Sequence, residues 1–178
     1  MNIMIIVVLG LPGSGKSYFA QALAKDVNAA YVNSDLVRNE KGARGKYSRE
    51  DKMIIYRIMV EKAREQVLAG RDVVVDGTFY LAATIDLFIT LSSTLMTPVL
   101  FISVVADEEL IRARLANRRN DSEADYDVYL KIKKEVEPLE VAHLTLKSGP
   151  DNIDEMLCRA KDYIHSVRND RKGNSEPE

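Results

Sequence analysis

One cysteine in 178 residues excludes an internal disulfide framework and suits a reducing cytoplasm. That residue, Cys158, falls in a helical pattern and is expected to be a small core side chain. The two histidines, His143 and His165, have no cysteine or acidic neighbour at ligand spacing, so neither a zinc site nor a histidine triad is expected. No apolar run approaches the ~20 residues needed to span a bilayer. The seven-residue run at 3–9 lacks a basic leader, so it is expected to be a strand of a cytoplasmic protein. A net charge of −2 gives no general attraction to polyanions. No internal repeat or interdomain linker interrupts the chain. The length fits one domain over 1–168, followed by a polar tail, 169–178, expected to be disordered.

What the chain has instead is concentrated between Ile3 and Ser17. Ile3-Met4-Ile5-Ile6-Val7-Val8-Leu9 reads as a strand buried on both faces, the kind found in a parallel sheet. Gly10-Leu11-Pro12-Gly13-Ser14-Gly15-Lys16-Ser17 then satisfies G-x-x-x-x-G-K-[ST] at every fixed position. Glycines let main-chain amides close around a phosphate, and a helix starting near Ser17 adds its N-terminal N–H groups. Gly13, Ser14, Gly15, Lys16 and Ser17 are therefore expected to hold ATP or another nucleoside triphosphate. Lys16 would reach the β- and γ-phosphates, and Ser17 would place its hydroxyl on Mg²⁺. The alternative, a plain glycine turn, does not account for the lysine.

Beyond this loop, apolar runs and helical stripes alternate. Strands are expected at 29–33, 71–75, 98–104 and 143–146. Helices are expected after Ser48, where S-x-x-D forms a capping box, and over 81–92, from Asp107, over 124–137 and over 153–167. Six basic residues against three acidic ones between Arg38 and Lys52 suggest an exposed loop. The pattern predicts an α/β three-layer sandwich of the P-loop NTPase type, with a five-stranded parallel sheet and a short helical lid. Right-handed crossovers bring the C-terminal ends of all strands to the phosphate-loop edge.

Three groups of residues reach that edge. Asp35 is placed to orient an acceptor hydroxyl and take its proton, with Arg38 one turn on as a clamp for an acceptor phosphate; alternatively Ser34 and Asp35 cap a helix and Arg38 is solvated. Asp76 follows Val73-Val74-Val75, the context in which an aspartate holds Mg²⁺ directly or through water; it could equally bind an arginine of the acceptor site or make a simple Asp-Gly turn. Arg114 and Arg118 share a helix face beside the polar segment 120–123, which suits a lid over the donor phosphates, or they are ordinary surface charges.

Taken together, G-L-P-G-S-G-K-S at 10–17, S-D-x-x-R at 34–38, V-V-V-D-G-T-F at 73–79, R-x-R-L-x-x-R at 112–118 and S-E-A-D-Y-D-V-Y at 122–129 resemble the small P-loop kinases grouped as AAA-domain "predicted kinases". The resemblance covers about residues 3 to 167, is strong to polynucleotide 5′-hydroxyl kinases, and extends more distantly to zeta-toxin-type kinases. It implies that Asp35 is the general base, that Arg38 grips an acceptor phosphate, and that Arg118, assisted by Arg114, closes on the donor, with Asp76 organising the acceptor side. The expected activity is ATP- and Mg²⁺-dependent transfer to a hydroxyl, foremost the 5′-hydroxyl of DNA or RNA. Alternatives are a kinase of a nucleoside, sugar or antibiotic hydroxyl, and a nucleotide-dependent switch. No membrane partner is expected.

Overall fold

The computed structural model describes residues 3–116 and 125–173. Five strands, β1 (Ile5–Leu9), β2 (Ala30–Asn33), β3 (Val73–Gly77), β4 (Val99–Val105) and β5 (Leu144–Lys147), form one sheet in the order β2-β3-β1-β4-β5. Every pairing is parallel, with Val8 opposite Asp76 and Asn33 also opposite Asp76. The helices are α1 (Lys16–Asp26), α2 (Ser34–Glu40), α3 (Arg49–Leu68), α4 (Ala82–Leu95), α5 (Glu108–Ala116), α6 (Tyr126–Glu135) and α7 (Ile153–Gly173).

β1 explains the layering. All five of its residues are buried, because alternate side chains serve different faces. Ile5, Val7 and Leu9 pack with Ile55, Met59, Phe88 and Leu91 of α3 and α4. Met4, Ile6 and Val8 pack with Phe19, Leu23, Met156 and Ala160 of α1 and α7. A strand with a polar face would leave one helical layer without a partner. The result is the α/β three-layer sandwich of a P-loop kinase fold, with β1 central and the chain order reversing beside it. Ligands collect at such a reversal, outside the C-terminal strand ends.

Several boundaries differ from the sequence expectation. α7 runs to Gly173, past Asn169, where a disordered tail was expected to begin. Its stem is held by Arg168, whose Nη2 donates to Asp72 Oδ2 at 2.5 Å, while Asp72 Oδ1 accepts from Met4 N at 2.9 Å. Cys158 lies on the solvent side of α7 and is exposed rather than a core residue. The stretch 38–52 is not one loop. Arg38 belongs to α2 and Arg49 opens α3, leaving a short turn-rich, largely exposed connection between these helices. The capping box forms as expected, with Ser48 Oγ accepting from Asp51 N at 3.1 Å and Ser48 N donating to the Asp51 carboxylate at 3.2 Å. These Ser48 bonds also hold the Asp51 carboxyl below the usual carboxylate range. No described helix is long and apolar enough to cross a membrane.

Candidate functional site

At the C-terminal edge of the sheet lies a cleft of about 600 Å³ that collects the sequence-predicted residues Gly13, Gly15, Lys16, Ser17, Asp35, Arg38 and Arg114. Five basic side chains line it (Lys16, Arg38, Lys52, Arg114, Lys131) against two acidic ones (Asp35, Glu135). A chain with an overall charge of −2 has therefore placed a net positive field in this one cleft.

The phosphate loop is built by close packing. A Cβ on Gly10 would stand 2.4 Å from the Val104 carbonyl oxygen, so the strand-to-loop turn excludes any side chain there. Gly15 is the N-cap of α1 with φ at 90°, a left-handed conformation that other residues adopt at a cost. No side chain caps α1, so its first N–H groups are not satisfied by the helix's own cap and face the cleft. This arrangement suits an anion. Ser14 is 1% exposed, and its hydroxyl has no partner among the described residues. Arg114 crosses from α5, donating through Nη1 to Gly13 O at 3.2 Å and to Ser148 Oγ at 2.8 Å. It thereby ties the phosphate loop to the segment after β5. A smaller pocket of about 170 Å³ opens beside it, lined by Gly15, Tyr18, Arg114, Ser148, Asp151 and Asn152.

On the other side of β1, β2 and β3 deliver a polar cluster. Asn33 caps α2, its Oδ1 accepting from Asp35 N and Leu36 N at 2.9 Å each. The cap is therefore Asn33 rather than Ser34 or Asp35, and the half-buried Asp35 lines the cleft with Lys16 and Ser17. Asp76 is fully buried below. Its Oδ2 accepts from Tyr31 OH at 2.7 Å and from Asn33 Nδ2 at 2.5 Å. Its Oδ1 is buried without a partner among the described residues. Asp76 is not among the residues lining the cleft, whereas Tyr31 and Asn33, bonded to its Oδ2, are. Burial, then the Asp76 charge, push the Tyr31 hydroxyl far above the ordinary tyrosine range, so it remains a donor.

Arg38 is turned inward. It is 6% exposed, its Nη1 donates to Lys46 O at 2.6 Å, and its guanidinium lies 4.6 Å from the Tyr47 ring centre. The expectation of a solvated charge in an open loop is thus replaced by a buried cation that folds the α2–α3 connection onto the cleft. Its preference for a carbonyl and an aromatic face follows from the planar guanidinium.

Tyr31, Asn33 and Tyr56 escaped the sequence reading as contributors to the site, and Lys52 was visible only as the end of a basic stretch. Tyr31 and Asn33 were visible only as strand residues. Tyr56 accepts from Phe79 N at 3.0 Å and braces the turn after β3, where Phe79 has φ of 49°. Burial raises the Tyr56 hydroxyl above its ordinary range. Lys52 donates to the Tyr80 hydroxyl and lies 4.7 Å from its ring centre. Across the cleft, Val128, Lys131, Ile132 and Glu135 of α6 form the facing wall. That helix is fastened at both ends. Tyr126 OH donates to Glu108 Oε1 and accepts from Arg112, and Lys133 reaches Glu108 Oε2 at 2.6 Å. Beyond its other end, Glu137 N donates to Tyr80 O at 2.9 Å and Glu137 Oε2 accepts from Ala82 N at 2.6 Å. The expected lid residue Arg118 lies outside the described residues, as do Arg119 and the polar break 120–123.

The residues present fit a magnesium ion beside a polyphosphate. Ser17 offers a hydroxyl in the cleft, and Asp76 keeps one buried carboxylate oxygen unpartnered among the described residues. No group of three or more His, Cys, Asp or Glu among the described residues forms a protein-only metal cage.

Comparison with known proteins agrees with the fold. The sequence profile of the AAA domain family (AAA_33) matches residues 5–139. The uncharacterized protein Rv2004c of Mycobacterium tuberculosis strain H37Rv is 33% identical over 90 residues. That match covers 44% of this chain and only 18% of the mycobacterial protein. Among solved structures, an unliganded sugar kinase from Janibacter sp. HTCC2649 superposes with a TM-score of 0.72 at 19% identity, covering 92% of this chain and 95% of that one. A gluconokinase from Sinorhizobium meliloti 1021 gives 0.71 at 16% identity, covering 98% and 99%. The Mycobacterium tuberculosis APS kinase CysC, in complex with AMPPNP and APS, gives 0.71 at 20% identity, covering 92% and 98%. At these identities the likeness is one of fold.

Proposed function

Since the chain belongs to the AAA domain family AAA_33, we propose that it is an ATP- and Mg²⁺-dependent kinase transferring the γ-phosphoryl group to an alcohol. The observation that carries this reading is the pairing of Asp35 with Lys16 and Ser17 in one cleft, with Asn33 taking over the capping of α2. A switch or binding module has no need of a carboxylate at that place.

In this reading the amides of 13–17, Lys16 and Arg114 bind the triphosphate, and the pocket beside Tyr18 and Ser148 takes the nucleoside end. Ser17 and Asp76 are the residues that would hold Mg²⁺, which when bound would supply charge neutralisation on the phosphates. Asp35 orients the acceptor hydroxyl. As the new P–O bond forms and the bond from Pγ to the bridging oxygen breaks, the acceptor proton passes to Asp35 and the nucleoside diphosphate leaves. Arg118 remains the proposed lid arginine. The α6 wall excludes water, which limits wasteful hydrolysis.

For the acceptor, the foremost proposal is the 5′-hydroxyl of a polynucleotide. It is supported by the exposed basic residues Lys41, Arg44, Lys46 and Arg49 around Tyr47, itself 44% exposed at the cleft edge. A small hydroxyl compound is supported by the enclosure of Asp35 between tyrosines and α6 in a cleft of about 600 Å³, a size typical of small-molecule sites. The cytoplasm is the proposed compartment. The deciding experiment offers γ-labelled ATP with 5′-hydroxyl oligonucleotides, nucleosides, sugars and sugar acids, at low and high salt. Transfer to oligonucleotides that weakens with salt supports the first acceptor, and salt-insensitive transfer to a small alcohol supports the second. Asp35→Asn is expected to lower kcat about 10²- to 10⁴-fold with ATP binding retained. Full transfer by that variant would remove Asp35 from the chemistry, and no acceptor-dependent transfer by the unaltered chain would remove the kinase reading.

A further inference from the structure

The acceptor side of the cleft holds two cations: Arg38, read from the sequence as a clamp for an acceptor phosphate, and Lys52, to which no role has been given. Lys52 is half-buried, projects from the first turn of α3 onto Tyr80, and forms no ion pair with any described residue. Its neighbour Asp51 turns back to the helix cap, where Ser48 N and Ser48 Oγ both donate to Asp51 Oδ2, and makes no ion pair with Lys52. Arg38, 6% exposed, likewise meets a carbonyl and a ring rather than a carboxylate among the described residues. Buried and half-buried cations are normally paired, since water removed from an ammonium must be replaced by an anion or several acceptors. Two half-buried cations elsewhere in this chain are paired in this way: Arg168 meets Asp72 and Lys161 meets Asp26.

Lys52 is also held in place from three sides. The capping box fixes the start of α3. Tyr80 is 6% exposed, and its main chain is bonded to Glu137 beyond α6. One turn along α3, Tyr56 is buried against Phe79 with ring centres 4.7 Å apart. A long side chain ordered at such a point, without a counter-ion, marks where a ligand anion is met.

Resting on the kinase reading above, we propose that the acceptor carries an oxyanion group besides the hydroxyl that receives phosphate. Lys52, presented on Tyr80, is the residue that selects for it, with Arg38 adding positive charge behind. A nucleoside 3′-phosphate end and a sugar acid both have this chemistry, and a neutral sugar or nucleoside does not.

The test needs no transfer. The chain is saturated with Mg²⁺ and AMPPNP, so that the donor phosphates occupy the loop, and is titrated calorimetrically with adenosine 3′-monophosphate against adenosine, and with gluconate against glucose. At least one charged member is expected to bind tenfold or more tightly than its neutral partner, and the pair that shows it identifies phosphate or carboxylate as the source. Lys52→Met should erase that preference and Lys52→Arg should keep it, with both variants retaining the far-UV spectrum of the unaltered chain. Equal binding within both pairs, no saturable binding of either charged compound, or an undiminished preference in Lys52→Met would overturn the proposal. Failure of the kinase reading shows separately, as absence of AMPPNP binding or of transfer in the acceptor screen.

Discussion

Tyr31→Phe tests how the floor of the acceptor side is held. The substitution removes one oxygen and leaves the ring in place. That oxygen is one of two donors to Asp76 Oδ2, at 2.7 Å beside Asn33 Nδ2 at 2.5 Å, and the carboxylate is fully buried. A hydrogen bond to a charged acceptor contributes about 1.5–3 kcal/mol, and Asn33 remains, so a loss of about 2 kcal/mol is expected. In a chain of this size that lowers the melting temperature by about 4–8 °C. Urea unfolding followed by far-UV circular dichroism at neutral pH measures it. In an Asp76→Asn background the acceptor is neutral, and the same deletion should cost only about 1 kcal/mol. The alkaline limb gives an independent check. Burial and the Asp76 charge raise the folded-state value of Tyr31, so the folded chain keeps a proton that the unfolded chain releases near pH 10. The associated stability is present below about pH 10 and declines as pH rises beyond it. Tyr56, raised chiefly by burial, adds to the same decline. Tyr31→Phe should therefore flatten that limb without abolishing it. A cost under about 0.5 kcal/mol, or an equal cost in the Asp76→Asn background, would refute the account of Asp76 as a charge held by this pair of donors.

Two further substitutions probe the opposite half of the cleft. Gly15→Ala places a Cβ 2.8 Å from Ser148 Oγ and 3.0 Å from Arg114 Nη1 at a residue with φ of 90°, so about 1–3 kcal/mol of stability should be lost. Because Arg114 is then displaced from Gly13 O, ATP binding measured by calorimetry should fall at least tenfold; unchanged binding would show that Arg114 does not support the loop. Glu108→Gln addresses the fastening of α6 to α5. The Lys133 and Tyr126 hydrogen bonds hold the Glu108 carboxyl below the usual carboxylate range. Its contribution is therefore present above that range and lost as pH falls through the lowered value. Protection factors across 126–135, corrected for the intrinsic pH dependence of amide exchange, should fall on acidification in the unaltered chain and be already low, with little pH response, in Glu108→Gln.

The parts of the fold legible in the sequence were those written in consecutive residues. The run 3–9 followed by the glycine loop identified β1, the phosphate loop and α1, because close packing admits few alternatives there. Asp35 was legible as a candidate but not separable from a helix cap, since Asx and Ser side chains compete for that place and Asn33 lies only two residues earlier. Arg38 was legible as a candidate clamp but not separable from a solvated charge, because five neighbouring basic residues suggested solvent, whereas its own guanidinium closes on Lys46 O and Tyr47. Tyr31, Tyr56 and Tyr80 gave no local signal, and Lys52 showed only as the end of a basic run, because these residues come from separate elements that meet only through the sheet order. Cys158 was placed inside by residue type, although it stands on the outer face of α7. Polarity did not mark where α7 ends, because it does not prevent the helix from propagating to Gly173 once its apolar stripe is docked.

The position of β1 in the middle of the sheet has a genetic corollary. In the kinase proposed above, the nucleotide would be met from the loop after β1, α1, α5 and the bend after β5, and the alcohol from β2, the start of α2, the turn after β3 and α3. A descendant of this gene would then meet a new alcohol by exchanging Tyr31, Lys52 or Tyr80, while the tie between Arg114 and Ser148 on the other side of β1 stays as it is.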